Sequence, residues 1–338
     1  MIEPSFRPAH PEARDQGDPY VLAAPPEAGT PYRYYVYVTG VVAREGRAFP
    51  VYGSHDLVRW SPLGAALVAD PSRDYWAPCV RYIPGLERPF VMLYSRALGR
   101  GEQAHIGHMI RRADSTTPEG PFVDSGHLLT ADLDFAIDPD VYRAPDGRLR
   151  LAFATDFVDD PPLGTGIVEA PIDETLASLV GPITPLARAQ YAWQIYDAQR
   201  KMPWKYIPGV DWKTDTVVWH TLEGPVGGLV SPQGREVYLY SGGCFFAYYA
   251  IGALVREPSG ELRDVSGPDG HIVLQPQPER GFFGPGHCSW FRDAYGTDYL
   301  MFHARFGRPN APRQMCLARL GWNANDLPYV EPAALAAG

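Results

Sequence analysis

An all-β chain made of five copies of one four-stranded unit is what this sequence predicts, and three observations carry the prediction. First, 34 glycines and 35 prolines punctuate 338 residues. That is about a fifth of the chain where ~12% is usual, and the even spread suits turns between many short strands. Second, an aromatic, β-branched run recurs five times: Tyr32–Thr39, Pro89–Ser95, Arg148–Thr155, Glu236–Ser241 and Asp298–Ala304. Third, a polar motif leading into a small or apolar strand lies just upstream of each run. These are GDPYVL at Gly17, YWAPCV at Tyr75, IDPDVY at Ile137, LEGPVGGL at Leu222 and GPGHCSW at Gly284. With Asp18, Trp76, Asp138, Glu223 and His287 as markers, the spacings are 58, 62, 85 and 64 residues. A period of about 60 with four strands per unit is the signature of a β-propeller, here five-bladed with four-stranded blades.

In each unit the polar motif is the innermost strand and the apolar run is the second. The runs alternate or are uniformly apolar over strand length, not helix length. Four follow a glycine-bearing turn string: PGLER, APDGR, SPQGR and DAYGT. Third and fourth strands fall within Tyr52–Leu67, Ile106–Leu129 and Ile251–Val265. Innermost strands line the central channel, so the five motifs converge on one end of it. The whole chain, 1–338, reads as one propeller. The long third interval is filled by residues 181–220, which hold Trp193, Trp204, Trp212 and Trp219. An irregular segment this aromatic is either a functional element or an assembly surface, the second of which would make the chain a homo-oligomer. Ala187–Lys201 reads as a short helix. On the functional reading, Tyr191, Trp193, Trp204 and Trp212 are expected to rim the pocket, with Tyr191 and Trp193 as candidate substrate-binding residues.

Composition excludes several classes. With 39 acidic and 30 basic residues the net charge is −9 and the pI about 5.5. There is no dense Lys/Arg run, which disfavours nucleic acid or an anionic membrane as partner. The longest apolar run, Phe245 to Val255, has 11 residues, short of the ~18 that a membrane span needs. The N-terminal stretch has no apolar signal core, so the expected location is the cytoplasm. Cys79, Cys244, Cys288 and Cys316 show no CxxC spacing and are expected to be reduced.

Three of the five converging motifs bring a carboxylate: Asp18, Asp138 and Glu223. One Asp before Pro is an ordinary turn residue. Three acids at matching places in three repeats crowd like charges into a channel mouth and raise at least one pKa. A glycosidase needs that, with one protonated acid for the leaving oxygen and one ionised carboxylate on the anomeric side.

The ordered set GDP (17–19), YWAP (75–78), IDPD (137–140), LEGP (222–225) and GPGH (284–287) resembles glycoside hydrolase family 43. The connecting segments GSHDLVRWSPLGAAL (53–67), ADSTTPEGPFVDSG (113–126) and RQMCLARLGWNANDLPY (313–329) are similar to that family as well, so the resemblance runs over about 15–332. It implies an inverting hydrolase of arabinofuranosyl or xylosyl oligosaccharides. Asp18 would be the general base, Glu223 the general acid, and Asp138 the residue that orients Glu223 and raises its pKa. The resemblance also implies that Arg313 reaches the active-site floor and that His287 faces the channel, where arabinanase-like members hold a calcium ion. That calcium would be structural, since no cofactor is required for the chemistry. Trp76 is either a sugar-stacking platform or blade packing. His303 is expected to be packed, and His105 and His108 suggest no metal site. The absence of a signal favours exo action on short imported oligosaccharides. A non-catalytic sugar-binding propeller, a retaining fructosidase-type propeller, and a galactan- or arabinan-cleaving member of the family are the competing readings.

Overall fold

The computed structural model describes residues 15–40, 46–103, 105–268 and 270–331; the chain ends included in the 1–338 reading lie outside them. Blade one is β1 (Gly17–Ala23), β2 (Tyr34–Thr39), β3 (Arg47–Ser54) and β4 (Ser61–Val68). Blade two is β5 (Tyr75–Tyr82), β6 (Phe90–Ala97), β7 (His108–Ser115) and β8 (Val123–Leu128). Blade three is β9 (Ala136–Arg143), β10 (Leu149–Phe157), β11 (Gly164–Pro171) and β12 (Thr184–Ala187). An added strand, β13 (Ile195–Arg200), precedes blade four: β14 (Val217–Val230), β15 (Glu236–Gly243), β16 (Tyr249–Arg256) and β17 (Leu262–Asp264). Blade five is β18 (Phe282–Arg292), β19 (Asp298–Phe306), β20 (Gln314–Trp322) and β21 (Pro328–Val330). Strands within each blade pair antiparallel in sequence order. The fold is the five-bladed propeller expected from the period.

The second strands explain why their sequences are apolar without a break. Side chains alternate between the two faces of a strand, and here both faces are buried against a neighbouring blade. Tyr35 and Tyr37 of β2 pack with Met92 and Tyr94 of blade two. Tyr34, Val36 and Val38 point the other way, onto Phe291 and Met301 of blade five. In β6, Val91 and Leu93 meet Leu151 and Phe153 of blade three. Ala152 and Ala154 meet Tyr238 and Tyr240 of blade four, and Val237 and Leu239 meet Leu300 and Phe302 of blade five. Each adjacent pair of blades, including five with one, therefore has its own apolar core, and the ring closes.

The 181–220 segment differs from expectation. Its ends belong to blades, as β12 and the start of β14. Ala187–Lys201 is not a helix. It holds a single 3-10 turn, Ala192–Gln194, and then β13. The cause is the exposed edge of β14, whose outer half pairs antiparallel with β13 and in parallel with β11 through Gly164–His220 and Thr165–Thr221. Pairing an open edge outweighs the modest helix propensity of the segment.

Candidate active site

Each inner strand carries the same irregularity, and it aims the site residues. Asp18 (φ 49°), Ala77 (φ 48°), Asp138 (φ 62°), Gly224 (φ 54°) and His287 (φ 46°) are all left-handed. The pairing register of the inner strand with its neighbour shifts there in every blade. Such bulges twist a strand and redirect its side chains. A left-handed backbone is unfavourable for Ala and His, so surrounding contacts must hold it. The holding group is the neighbouring blade. The N–H of Ala77 donates to Thr39 Oγ1 (2.8 Å), that of Asp138 to Ser95 Oγ (3.0 Å), and that of His287 to Ser241 Oγ (2.7 Å). The N–H of Asp18 donates to His303 Nδ1 at 3.2 Å. In blade four the acceptor is a site residue itself: Gly224 N–H donates to Asp138 Oδ2 at 3.0 Å.

Asp18, Asp138, Glu223, Trp76, His287 and Arg313 are brought together around a cavity of about 230 Å³ at the N-terminal ends of the inner strands. Pockets for drug-sized ligands run to ~300–1,000 Å³, so this one suits a single sugar ring. It adjoins a second cavity of about 580 Å³ that shares Trp76, Glu223 and Phe245 with it. A larger cavity, about 890 Å³, is lined by the C-terminal halves of the inner strands and contains none of the three site carboxylates.

The three carboxylates stand in different environments. Burial alone would raise the pKa of Asp18, but His287 and Arg313 outweigh it and hold the carboxyl well below its usual value. Arg313 Nη1 lies 3.1 Å from Asp18 Oδ1, and His287 Nδ1 lies 3.3 Å from the same oxygen. Asp15 clamps the guanidinium from behind, with Nη2 2.6 Å and Nε 3.0 Å from its Oδ2. Gly17 is required by this clamp, because a Cβ there would come within 1.9 Å of Arg313 Cζ. Burial and the charge of Asp18 push Glu223 up to about 7, against the Tyr249 hydroxyl that donates to its Oε1 at 2.7 Å. Asp138 is raised as well, by burial and by its proximity to Glu223 and Asp18. The arrangement holds one carboxyl down and pushes two up around one small cavity.

Trp76 lines both cavities, and its inner face stacks on His108 with ring centroids 3.5 Å apart. His108 is buried and pushed down to about 3, so the stacked ring is neutral. The expectation for Tyr191 and Trp193 is corrected, since they pack onto blade four and do not line either cavity. Trp193 stacks on Tyr240 and donates Nε1–H to Ser266 O, while the Tyr191 hydroxyl donates to Asp264 O. Trp212 is likewise turned inward, donating to Lys205 O. Trp204 does line the second cavity. Among the described residues no group of three or more His, Cys, Asp or Glu is arranged to hold a metal. Calcium prefers six to eight oxygens, whereas His287 Nδ1 is directed at Asp18, itself paired with Arg313. These residues do not supply that oxygen set themselves, so an ion beside His287 would have to take its ligands mainly from water.

Several contributors were not singled out from the sequence. Tyr249, Thr39, Ser95 and Ser241 are among them, and His303, expected to be packed, also anchors Asp18. A signal did exist for four of these: Thr39, Ser95 and Ser241 end their apolar runs, and His303 stands one residue before the end of its own.

The fold and the carboxylate cluster define a propeller glycoside hydrolase. The family model for glycosyl hydrolases family 43 matches residues 22–328, and the chain belongs to that family. Similar solved structures include a thermostable family-43 glycoside hydrolase, at 25% identity over 94% of this chain and 93% of that one, with TM-score 0.68. An endo-1,4-beta-xylanase from Bacteroides thetaiotaomicron (23%, 98% and 97%, TM-score 0.69) and an alpha-L-arabinofuranosidase from Lactobacillus brevis (19%, 93% and 93%, TM-score 0.65) share the fold. No curated protein matches the chain in sequence.

Proposed function

We propose that this protein is an inverting, exo-acting hydrolase that releases α-L-arabinofuranose, or β-D-xylose, from short oligosaccharides of plant polysaccharides. The observation that carries the reading is the division of labour among the carboxyls. Asp18 is held ionised, and Glu223 keeps its proton to about pH 7. Glu223 gives its proton to the leaving oxygen as the glycosidic bond breaks. Asp18 takes a proton from the water that attacks the anomeric carbon from the opposite face. Asp138 binds the Gly224 N–H and so positions the backbone next to Glu223. The small cavity favours one terminal sugar, with the leaving group in the adjoining cavity beside Glu223. A first-product anomer analysis by NMR on nitrophenyl arabinofuranoside, xyloside and galactoside tests this. Inversion on one of the first two supports it. Retention, or no turnover of any glycoside, overturns it.

A further inference from the structure

The aromatic segment that breaks the repeat builds much of the second cavity, supplying Tyr196, Arg200, Trp204, Lys205, Tyr206 and Trp219. It also brings both cations of that cavity, and they are not equivalent. Lys205 Nζ lies 3.0 Å from Asp156 Oδ2 in a largely buried pair, so its charge is neutralised. Arg200 closes β13, where its backbone pairs with Val217, and its side chain makes no hydrogen bond or ion pair among the described residues, although Glu223 feels its charge. Its guanidinium lies 4.5 Å from the Tyr196 ring centroid and 5.5 Å from that of Trp219. Trp219 is only 2% exposed, so the inner ring is fixed by the fold. The guanidinium is thus held by two aromatic rings with its N–H donors unpaired, in a cavity that also contains Glu223. Asp134 is the other carboxylate on the wall and stands at the exposed rim. In a chain of net charge −9, an unpaired cation held this way is a local feature and not part of a basic surface.

We propose that the leaving-group side of the site accepts a sugar bearing a carboxylate, a uronic acid residue, with Arg200 as the specificity-determining group. This deepens the hydrolase reading and rests on it. A guanidinium presents a planar fork that matches a carboxylate through two parallel N–H···O bonds. Neutral sugar hydroxyls can accept those bonds without meeting the charge. Trp76 and Trp204 offer aromatic faces in the same cavity, so the ring is stacked while its acid group is paired.

The test is calorimetric binding to the Glu223→Gln protein, which removes turnover from the readout. The ligands are a neutral xylo-oligosaccharide and one of equal length carrying a glucuronic acid on the leaving-group side. A charged hydrogen-bonded pair predicts that the acidic ligand binds about ten- to a hundredfold more tightly at low salt. That preference should shrink as salt rises. Arg200→Gln should abolish the preference and Arg200→Lys should retain part of it, each compared as an acidic-to-neutral ratio. Equal binding of the two ligands by the Arg200-containing protein overturns the proposal, and this comparison needs no further variant. A preference unchanged by Arg200→Gln also overturns it. Absence of hydrolysis of every glycoside by the wild-type protein sinks the hydrolase reading without altering the binding ratio, so the two failures are distinguishable.

Discussion

Glu223→Gln separates the catalytic cost of the acid from its cost to folding. The native pKa of Glu223 is raised from 4.5 to about 7, chiefly by burial. Below pH 4.5 both folded and unfolded chains carry the proton and no penalty exists. Between 4.5 and 7 the unfolded chain releases its proton while the folded one keeps it, so stability falls as pH rises through that window. A rise from 4.5 to about 7 corresponds to about 3 kcal/mol. The carboxyl faces the cavity, and solvent screening trims this to about 2 kcal/mol. Glutamine carries no charge, so the variant's advantage over wild type should grow from nil at pH 4.5 to about 2 kcal/mol above pH 7, or about 3 °C in melting temperature for a chain of this size. Activity should move oppositely. Loss of the proton donor should cost about 10²- to 10⁴-fold on natural oligosaccharides and less on nitrophenyl glycosides, whose leaving group needs little protonation. Thermal melts of both proteins from pH 4.5 to 8.5, with kcat/KM on both substrate types, give the comparison. A stability difference independent of pH, or equal activity losses on the two leaving groups, would refute the reasoning.

Asp18→Asn should reduce activity on natural and nitrophenyl substrates alike, because the base acts on water whatever the leaving group; a loss confined to poor leaving groups would contradict the assignment. Wild-type kcat/KM should fall above about pH 7 as Glu223 ionises and hold level on the acid side through the usual carboxylate range, since Asp18 stays ionised there. In Tyr249→Phe the hydroxyl that favours ionised Glu223 is gone, so the alkaline limb should move to higher pH; an unmoved limb removes Tyr249 from the tuning of the acid. Exhaustive chelation should leave melting temperature and activity unchanged, and a fall in either, restored by calcium, would place an ion at the channel centre.

Much of the fold was legible because a propeller repeats one physical problem five times. A second strand buried on both faces has no polar side, and that is how Tyr34–Thr39 and Phe90–Ala97 stand out in the sequence. The inner strands were legible through their polar motifs, because each bulge needs a residue that turns left-handed at the same place. What was not legible lies where the repeat breaks. Ala187–Lys201 is rich in Ala, Gln and Arg, which favour a helix locally. Its structure was decided by the open edge of β14, and nothing within the segment signals that edge. The same holds for the aromatics. Trp193 and Trp204 are equivalent in type and close in sequence, yet one packs under blade four and the other lines the cavity. The difference comes from Gln194, which accepts the N–H groups of Gln190 and Tyr191 and donates to the Tyr240 hydroxyl. That anchor turns Tyr191 and Trp193 inward before the chain reaches β13.

The site is also the means by which the ring is held closed, and this couples activity to assembly. Around the channel, the bulge N–H of one blade is accepted by the second strand of the preceding blade: Thr39 for Ala77, Ser95 for Asp138, Ser241 for His287, and His303 for Asp18. Blade three breaks the series. Its equivalent residue, Thr155, donates instead to Phe135 O, and Asp138 accepts the Gly224 N–H in its place. Asp138 therefore has two tasks. It is the latch between blades three and four, and it fixes the backbone beside the acid Glu223. A neutral acceptor could do the first task, as second-strand hydroxyls do in three other joints. Only a carboxyl can do the first while joining the proton-holding cluster with Glu223 and Asp18. Replacing Asp138 by Asn should thus keep an acceptor of the same reach for the Gly224 N–H, and with it the latch and the fold, while changing the pH dependence of kcat/KM, whereas replacing Ser95 by Ala should loosen a blade joint and lower melting temperature with a smaller effect on the pH profile. The two variants part structure from chemistry at successive joints of one ring. Identical pH profiles in both would show that Asp138 acts only as a latch.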